Sequence, residues 1–68
     1  MEWLKSARIA AGMTQEQVAD KALISQPSYA NIETGRRAPS VKTAQKIAAA
    51  LGFDWQRFYE ETSEEVRT

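Results

Sequence analysis

The sequence predicts an all-α fold, a compact bundle of five short helices. Three observations carry this reading. Apolar residues recur at helical spacing along most of the chain, and no stretch alternates with the two-residue period of a strand. Gly12, Gly35 and Gly52 each follow such a helical stretch, where a left-handed C-terminal cap belongs. Capping residues, Thr14, Ser25, Ser40 and Asp54, stand ahead of the later stretches. With 68 residues the chain makes one domain, since a chain this short buries only about 60% of its unfolded surface. It contains no cysteine, so its stability rests on helix packing.

The first helix is expected from about Glu2 to Ala11, with Trp3, Leu4, Ala7 and Ala11 along one face. Thr14 and Gln17 form the pattern of a capping box that starts the second helix, and Met13 and Val18 stand where a hydrophobic staple closes over it. Ser25 starts the third, with Ile24 and Tyr29 as its staple and Pro27 in a first turn that loses no hydrogen bond by lacking an N–H. Only Leu23 and Ile24 remain for the corner between them. Two helices joined that closely form a helix-turn-helix, an arrangement whose second helix can enter the major groove of DNA. A fourth helix opens at Ser40 after Pro39, with Val41, Ala44, Ile47, Ala48 and Leu51 as its apolar stripe. The fifth begins at Asp54, with Phe53 and Phe58 as a staple and Trp55, Phe58 and Tyr59 at helical spacing. The domain is read as residues 1–61, followed by a polar tail, residues 62–68, expected to fray.

The formal charge is zero, but it is unevenly distributed. Residues 1–53 hold seven Lys or Arg against four Asp or Glu, whereas residues 54–68 hold two against five. A mildly basic body is thus offset by an acidic end, a pattern compatible with an anionic partner and also with an ordinary mixed surface. The longest apolar run is too short to cross a bilayer, and the opening MEWLKSARIA lacks the apolar core of a secretory signal, so a soluble cytoplasmic protein is expected. Catalysis has little support: His and Cys are absent, no glycine-rich phosphate loop occurs, and the only clustered carboxylates are the solvated Glu60, Glu61, Glu64 and Glu65. No metal, cofactor or small-molecule ligand is expected.

The early Arg8, the stretch GMTQEQVA at 12–19, ISQPSYANIETGRRAPS at 24–40 and the closing IAAALGFDW together resemble the Cro and C1 repressor type of helix-turn-helix domain, the XRE family. The resemblance covers nearly the whole chain and implies a lambda-repressor-like fold. The wording SVKTAQKIAAALGFDWQRFYE is similar to small regulators of prophages and integrated elements in Gram-positive bacteria. Two positions depart from the family pattern. Leu23 stands in the turn where the family usually has glycine, and a left-handed backbone there costs a branched residue roughly 1 kcal/mol or more, so the corner is either strained or differently shaped. Tyr29 stands where an aliphatic residue is common, so its ring must be buried and its hydroxyl must find a partner.

With Tyr29 and Ile32 pointing inward, Gln26, Pro27, Ala30 and Asn31 form the opposite stripe of the third helix and would face a groove. Glutamine and asparagine each offer a donor and an acceptor that match adenine N6 and N7, discriminating by about 1–3 kcal/mol. Gln26, at the helix start and supported by the resemblance, is the first base-contact candidate and Asn31 the second; Pro27 and Ala30 offer apolar contact, for example to a thymine methyl. Phosphate contacts are expected from helix starts and flexible cations, namely Gln15, Ser25, Ser28, Arg36, Arg37 and Lys42. If each subunit of a dimer neutralises about three phosphates, log affinity should fall against log salt with a slope of about −5. Arg8 and Glu33 each sit at the edge of an apolar helix face, where an unpaired ion is costly, and are expected to pair; the resemblance implies the same ion pair.

Trp55, Phe58 and Tyr59 are expected partly to pack on Trp3 and Leu4 and partly to remain as an apolar patch for a weak homodimer that tightens on DNA. One helix reads too few base pairs to select a genomic site, whereas two about 34 Å apart read a palindrome. The function expected is that of a sequence-specific, double-stranded DNA-binding transcriptional regulator, a repressor on a palindromic operator. The alternative is an antitoxin or coactivator-like interaction module that retains the scaffold, a reading favoured by the neutral net charge.

Overall fold

A computed structural model describes residues 1–60. The tail expected at 62–68 lies outside the described residues. Four helices, α1 (Glu2–Ala10), α2 (Gln15–Ala22), α3 (Gln26–Glu33) and α4 (Val41–Leu51), are followed by a fifth, α5, helical over 57–60. No strand occurs among the described residues. The bundle is interleaved: α1 packs on α3, and α2 packs on both α3 and α4.

Each helix starts where its cap dictates. Thr14 Oγ1 accepts the Gln17 N–H at 3.1 Å, and Gln17 Oε1 in turn accepts the Thr14 N–H at 2.9 Å, so the capping box is complete. Ser25 and Ser40 cap α3 and α4 in the same way, each accepting the N–H three residues ahead at 3.2 Å. The fifth helix differs: the Asp54 carboxylate accepts the Gln56 N–H at 3.0 Å and caps a turn over 55–56, and α5 begins only at 57, later than the expected start at Asp54. At the other ends Gly12, Gly35 and Gly52 all adopt positive φ, as expected of left-handed caps.

The core gathers Leu4 from α1, Val18, Ala19 and Ala22 from α2, Tyr29 and Ile32 from α3, Ala44, Ile47 and Ala48 from α4, and Phe58. Trp3 closes the open end of the bundle, edge-on to Phe53 at 5.4 Å and to Phe58 at 5.0 Å between centroids, with the Arg57 guanidinium 4.8 Å from its ring. Three expected core positions fail. Ala11 lies just past α1 and is exposed, because the helix ends one residue earlier than its apolar pattern. Val41 is the first residue of α4 and is half exposed. Leu51, the last, is only partly buried.

Candidate nucleic-acid interface

The corner between α2 and α3 is a tight one. The Ile24 N–H donates to Ala19 O at 3.0 Å and closes the end of α2, leaving Leu23 at φ 59°, ψ 41° with its side chain 80% exposed. Of the two geometries open to this corner, the chain adopts the strained left-handed one, without burial of the leucine to offset it. Ile24 then turns inward against the core, and Ser25 begins α3.

With Tyr29, Ile32 and Glu33 buried, the opposite side of α3 carries Gln26 and Pro27 exposed and Ala30 and Asn31 half-buried. The four expected groove-facing residues therefore share one surface. The loop after α3 folds back on it. The N–H groups of Arg36 and Arg37 donate to Asn31 O at 2.9 and 3.2 Å, so two exposed cations are held beside the last turn of the helix. Arg36, Arg37 and Lys42 form no ion pair among the described residues. Ser28, Arg37, Ser40 and Thr43 line a shallow groove between α3 and the start of α4, floored by Ile24 and Ile32. Four of the expected phosphate contacts, Ser25, Ser28, Arg36 and Arg37, thus lie along α3, at its cap or in its following loop, and Lys42 lies in the first turn of α4.

Gln15 is partly engaged within the protein. Its side-chain amide spends one of its two Nε2 hydrogens on Glu33 Oε2, at 2.7 Å, and the second, with the backbone N–H at the start of α2, remains for an anion.

Arg8 and Glu33 do pair, and the pair is part of a larger network. Arg8 Nε donates to Glu33 Oε1 at 2.7 Å, and its Nη1 donates to Met13 O at 2.8 Å. The Tyr29 hydroxyl donates to the same Oε1 at 2.9 Å, which supplies the partner its burial requires. No buried side-chain N or O among the described residues lacks a partner. Burial alone would raise the Glu33 carboxyl, but the hydrogen bonds from Arg8, Gln15 and Tyr29 outweigh it and hold the group below the usual carboxylate range. Burial, together with the bond to Glu33, pushes the Tyr29 phenol well above its ordinary value. The bond to Glu33 also raises the Arg8 guanidinium, so this centre stays ionised as a unit.

The roles of Tyr29 and Gln15 at Glu33 are the functional detail that sequence reasoning misses. Tyr29 and Glu33 are four apart on one helix, a spacing that makes them neighbours and that could have linked the two. Gln15 carries no such signal, because its engagement depends on how α2 crosses α3.

The aromatic end divides unequally. Phe58 is 3% exposed and belongs to the core, which corrects its expected place in a dimer surface. Trp55 is half-buried and Tyr59 45% exposed, their rings edge-on at 5.6 Å. Among the described residues no helix is long and apolar enough to cross a membrane.

Fold and surface together define a helix-turn-helix protein whose third helix presents amides. A family model described as helix-turn-helix matches residues 4–58, and the chain belongs to that family, the Cro/C1 or XRE type. It is 46% identical over 66 residues to an uncharacterized HTH-type transcriptional regulator, YqaF, of Bacillus subtilis (strain 168), covering 97% of this chain and 87% of that one. It is 41% identical over 50 residues to the immunity repressor protein of Bacillus phage phi105, covering 74% of this chain and 35% of the repressor. A third relative, the uncharacterized HTH-type transcriptional regulator y4dJ of Sinorhizobium fredii (strain NBRC 101917 / NGR234), is 44% identical over 41 residues, which are 60% of this chain and 53% of that one. No solved structure matches significantly.

Proposed function

We propose that this chain represses transcription in the cytoplasm by binding a palindromic operator as a homodimer. It is a helix-turn-helix transcriptional regulator that binds duplex DNA. The observation that carries the finer reading is the surface of α3: exposed Gln26 and half-buried Asn31 on one stripe, with Arg36 and Arg37, in no ion pair among the described residues, at its end. Amides discriminate bases, cations hold phosphates, and the two lie on one side of the molecule in the order a groove needs them. Gln26 and Asn31 read adenines; Pro27 and Ala30 touch thymine methyls. Gln15, Ser25, Ser28, Arg36, Arg37 and Lys42 grip the backbone. Similarity to a phage immunity repressor supports repression over activation, and Trp55 with Tyr59 forms the surface for a weak dimer.

Selection of bound sites from randomised duplex DNA, followed by a mobility shift with competitor DNA at physiological salt, tests this. An inverted repeat with half-sites one helical turn apart is the expected outcome. Binding that selects no sequence would instead indicate an interaction module that keeps only the scaffold.

A further inference from the structure

Glu33 is the only charged residue of α3, it is buried, and both its carboxylate oxygens are occupied. Oε1 accepts from Arg8 Nε on α1 and from the Tyr29 hydroxyl on α3 itself; Oε2 accepts from Gln15 Nε2 on α2 and, at 3.5 Å, from Arg8 Nη2. The Arg8 pair joins α1 to α3, and two neutral donors, both within 2.9 Å, satisfy the remaining lone pairs of the buried carboxylate. Their places in the chain give them a second consequence. Gln15 is the first residue of α2, at the very helix end whose N–H groups face outward, and Tyr29 lies between Gln26 and Asn31 on the reading helix. The two donors thus connect, through one carboxylate, the element that meets phosphate to the element that meets bases.

We infer that Tyr29 and Gln15 are positioning residues for sequence discrimination: the Tyr29 hydroxyl fixes the Glu33 rotamer, and Glu33 so fixed holds the start of α2 and the rotation of α3 in one register. The inference rests on the DNA-reading role proposed above. Its physical ground is the unequal tolerance of the two kinds of contact. A bidentate amide–adenine pair needs placement within about 0.5 Å and 10–20°, whereas a flexible arginine follows a phosphate over a wider range. Loosening the register therefore weakens binding to the preferred site and leaves binding to other sequences almost untouched. The Tyr29 ring, Ile32, the Ser25 cap, the Arg8 pair and the Met1 ammonium, which donates to Glu33 O at 2.6 Å, keep α3 folded in place, so the two neutral bonds act on its fine register over only eight residues.

The test compares the parent with Tyr29→Phe, which removes one oxygen and keeps the buried ring, and with Gln15→Met, which keeps the side-chain length and removes the donor. Each is titrated with the selected duplex and with a scrambled duplex of equal length across a salt series, after a melt sets a temperature at which all three are folded. The expected result is a five- to tenfold fall in the ratio of specific to scrambled affinity for either variant. For Tyr29→Phe, scrambled-duplex affinity and its salt slope should stay at parent values. A ratio unchanged in both folded variants overturns the inference and leaves the DNA-reading role standing. Equal loss on both duplexes in Tyr29→Phe overturns it as well, because that is the signature of a merely structural role. A parent chain that itself prefers neither duplex overturns both.

Discussion

Arg8 and Glu33, 25 residues apart in sequence, meet with Arg8 Nε 2.7 Å from Glu33 Oε1, and the same guanidinium reaches Met13 O through Nη1 at 2.8 Å. One side chain of α1 thus holds both the end of the reading helix and the approach to α2.

Replacing Arg8 by alanine removes this tie and leaves the Glu33 charge buried with only neutral donors. Breaking a buried pair from one side costs about 3–5 kcal/mol, comparable to the whole stability of a domain this small. Arg8→Ala is therefore expected to be largely unfolded near room temperature, as read by far-ultraviolet circular dichroism and a thermal melt. A melt superimposable on the parent's would refute the structural role.

The lowered Glu33 carboxyl predicts the sign of an acid effect. Because its folded value lies below its unfolded one, its contribution is complete above the ordinary value of about 4.3 and is lost as pH falls through the folded value. Urea unfolding of the parent and of Glu33→Gln, followed from pH 7 down to pH 3, should show the gap in stability between them narrowing below about pH 4.3. A gap constant with pH would mean that Glu33 does not titrate differently on folding.

Leu23 offers a gain. Its left-handed backbone is strained and its side chain, 80% exposed, contributes little burial. Leu23→Gly relieves a strain of roughly 1–2 kcal/mol at an entropic cost of roughly 0.5–1 kcal/mol, a net stabilisation of about 0.5–1 kcal/mol. For a domain of this length that is a rise in Tm of several degrees, measurable by calorimetry. A lowered Tm would show that the leucine packs on a neighbour by more than the strain it bears.

On the reading surface, alanine at Gln26 or Asn31 should cost about 1–3 kcal/mol on the selected duplex and relax preference at one base position each. Arg36→Ala or Arg37→Ala should weaken selected and scrambled duplexes alike, and lower the salt slope by about 0.9 for each phosphate no longer neutralised. Fluorescence anisotropy over a salt series separates these behaviours. Sequence preference that survives the double substitution of Gln26 and Asn31 would refute the assignment of α3.

The aromatic end predicts two different phenotypes from neighbouring residues. Phe58→Ala empties a core position between Trp3 and Phe53 and should cost about 3–5 kcal/mol in stability. Trp55→Ala, half-buried at the edge of the core, should cost less stability than Phe58→Ala and, under conditions where it is folded, shift the monomer–dimer balance, seen by sedimentation velocity as a concentration dependence displaced toward monomer. A dimer unaffected by Trp55→Ala would place the interface elsewhere.

Much of this architecture is legible in the chain because its signals are local. Thr14 with Gln17, Ser25 with Pro27, Ser40 after Pro39, and a glycine after each helical stretch all act within a few residues, and each cap forms where its residues stand. The need for a hydroxyl partner at Tyr29 is equally local, since burial alone imposes it. What escapes is set by the angle at which helices cross. Gln15 looks like a free polar residue at a helix start, and only its placement opposite Glu33 shows that it is engaged. Val41 has the spacing of a core residue, yet at the first position of α4 it is half exposed. Phe58 could not be divided from Trp55 and Tyr59 by spacing, because a short helix with three aromatics has more apolar surface than the bundle can cover.

The interleaving of α1 with α3 and of α2 with α4 has a consequence for the lifetime of the protein. A cut or a local opening between α2 and α3 divides both packed pairs at once, so neither half keeps a partner to shelter it. Loss of structure is then a single all-or-none event, and degradation in the cell follows the population of the globally open chain. Turnover of the whole domain is thereby tied to its thermodynamic stability, with no durable fragment left to occupy DNA.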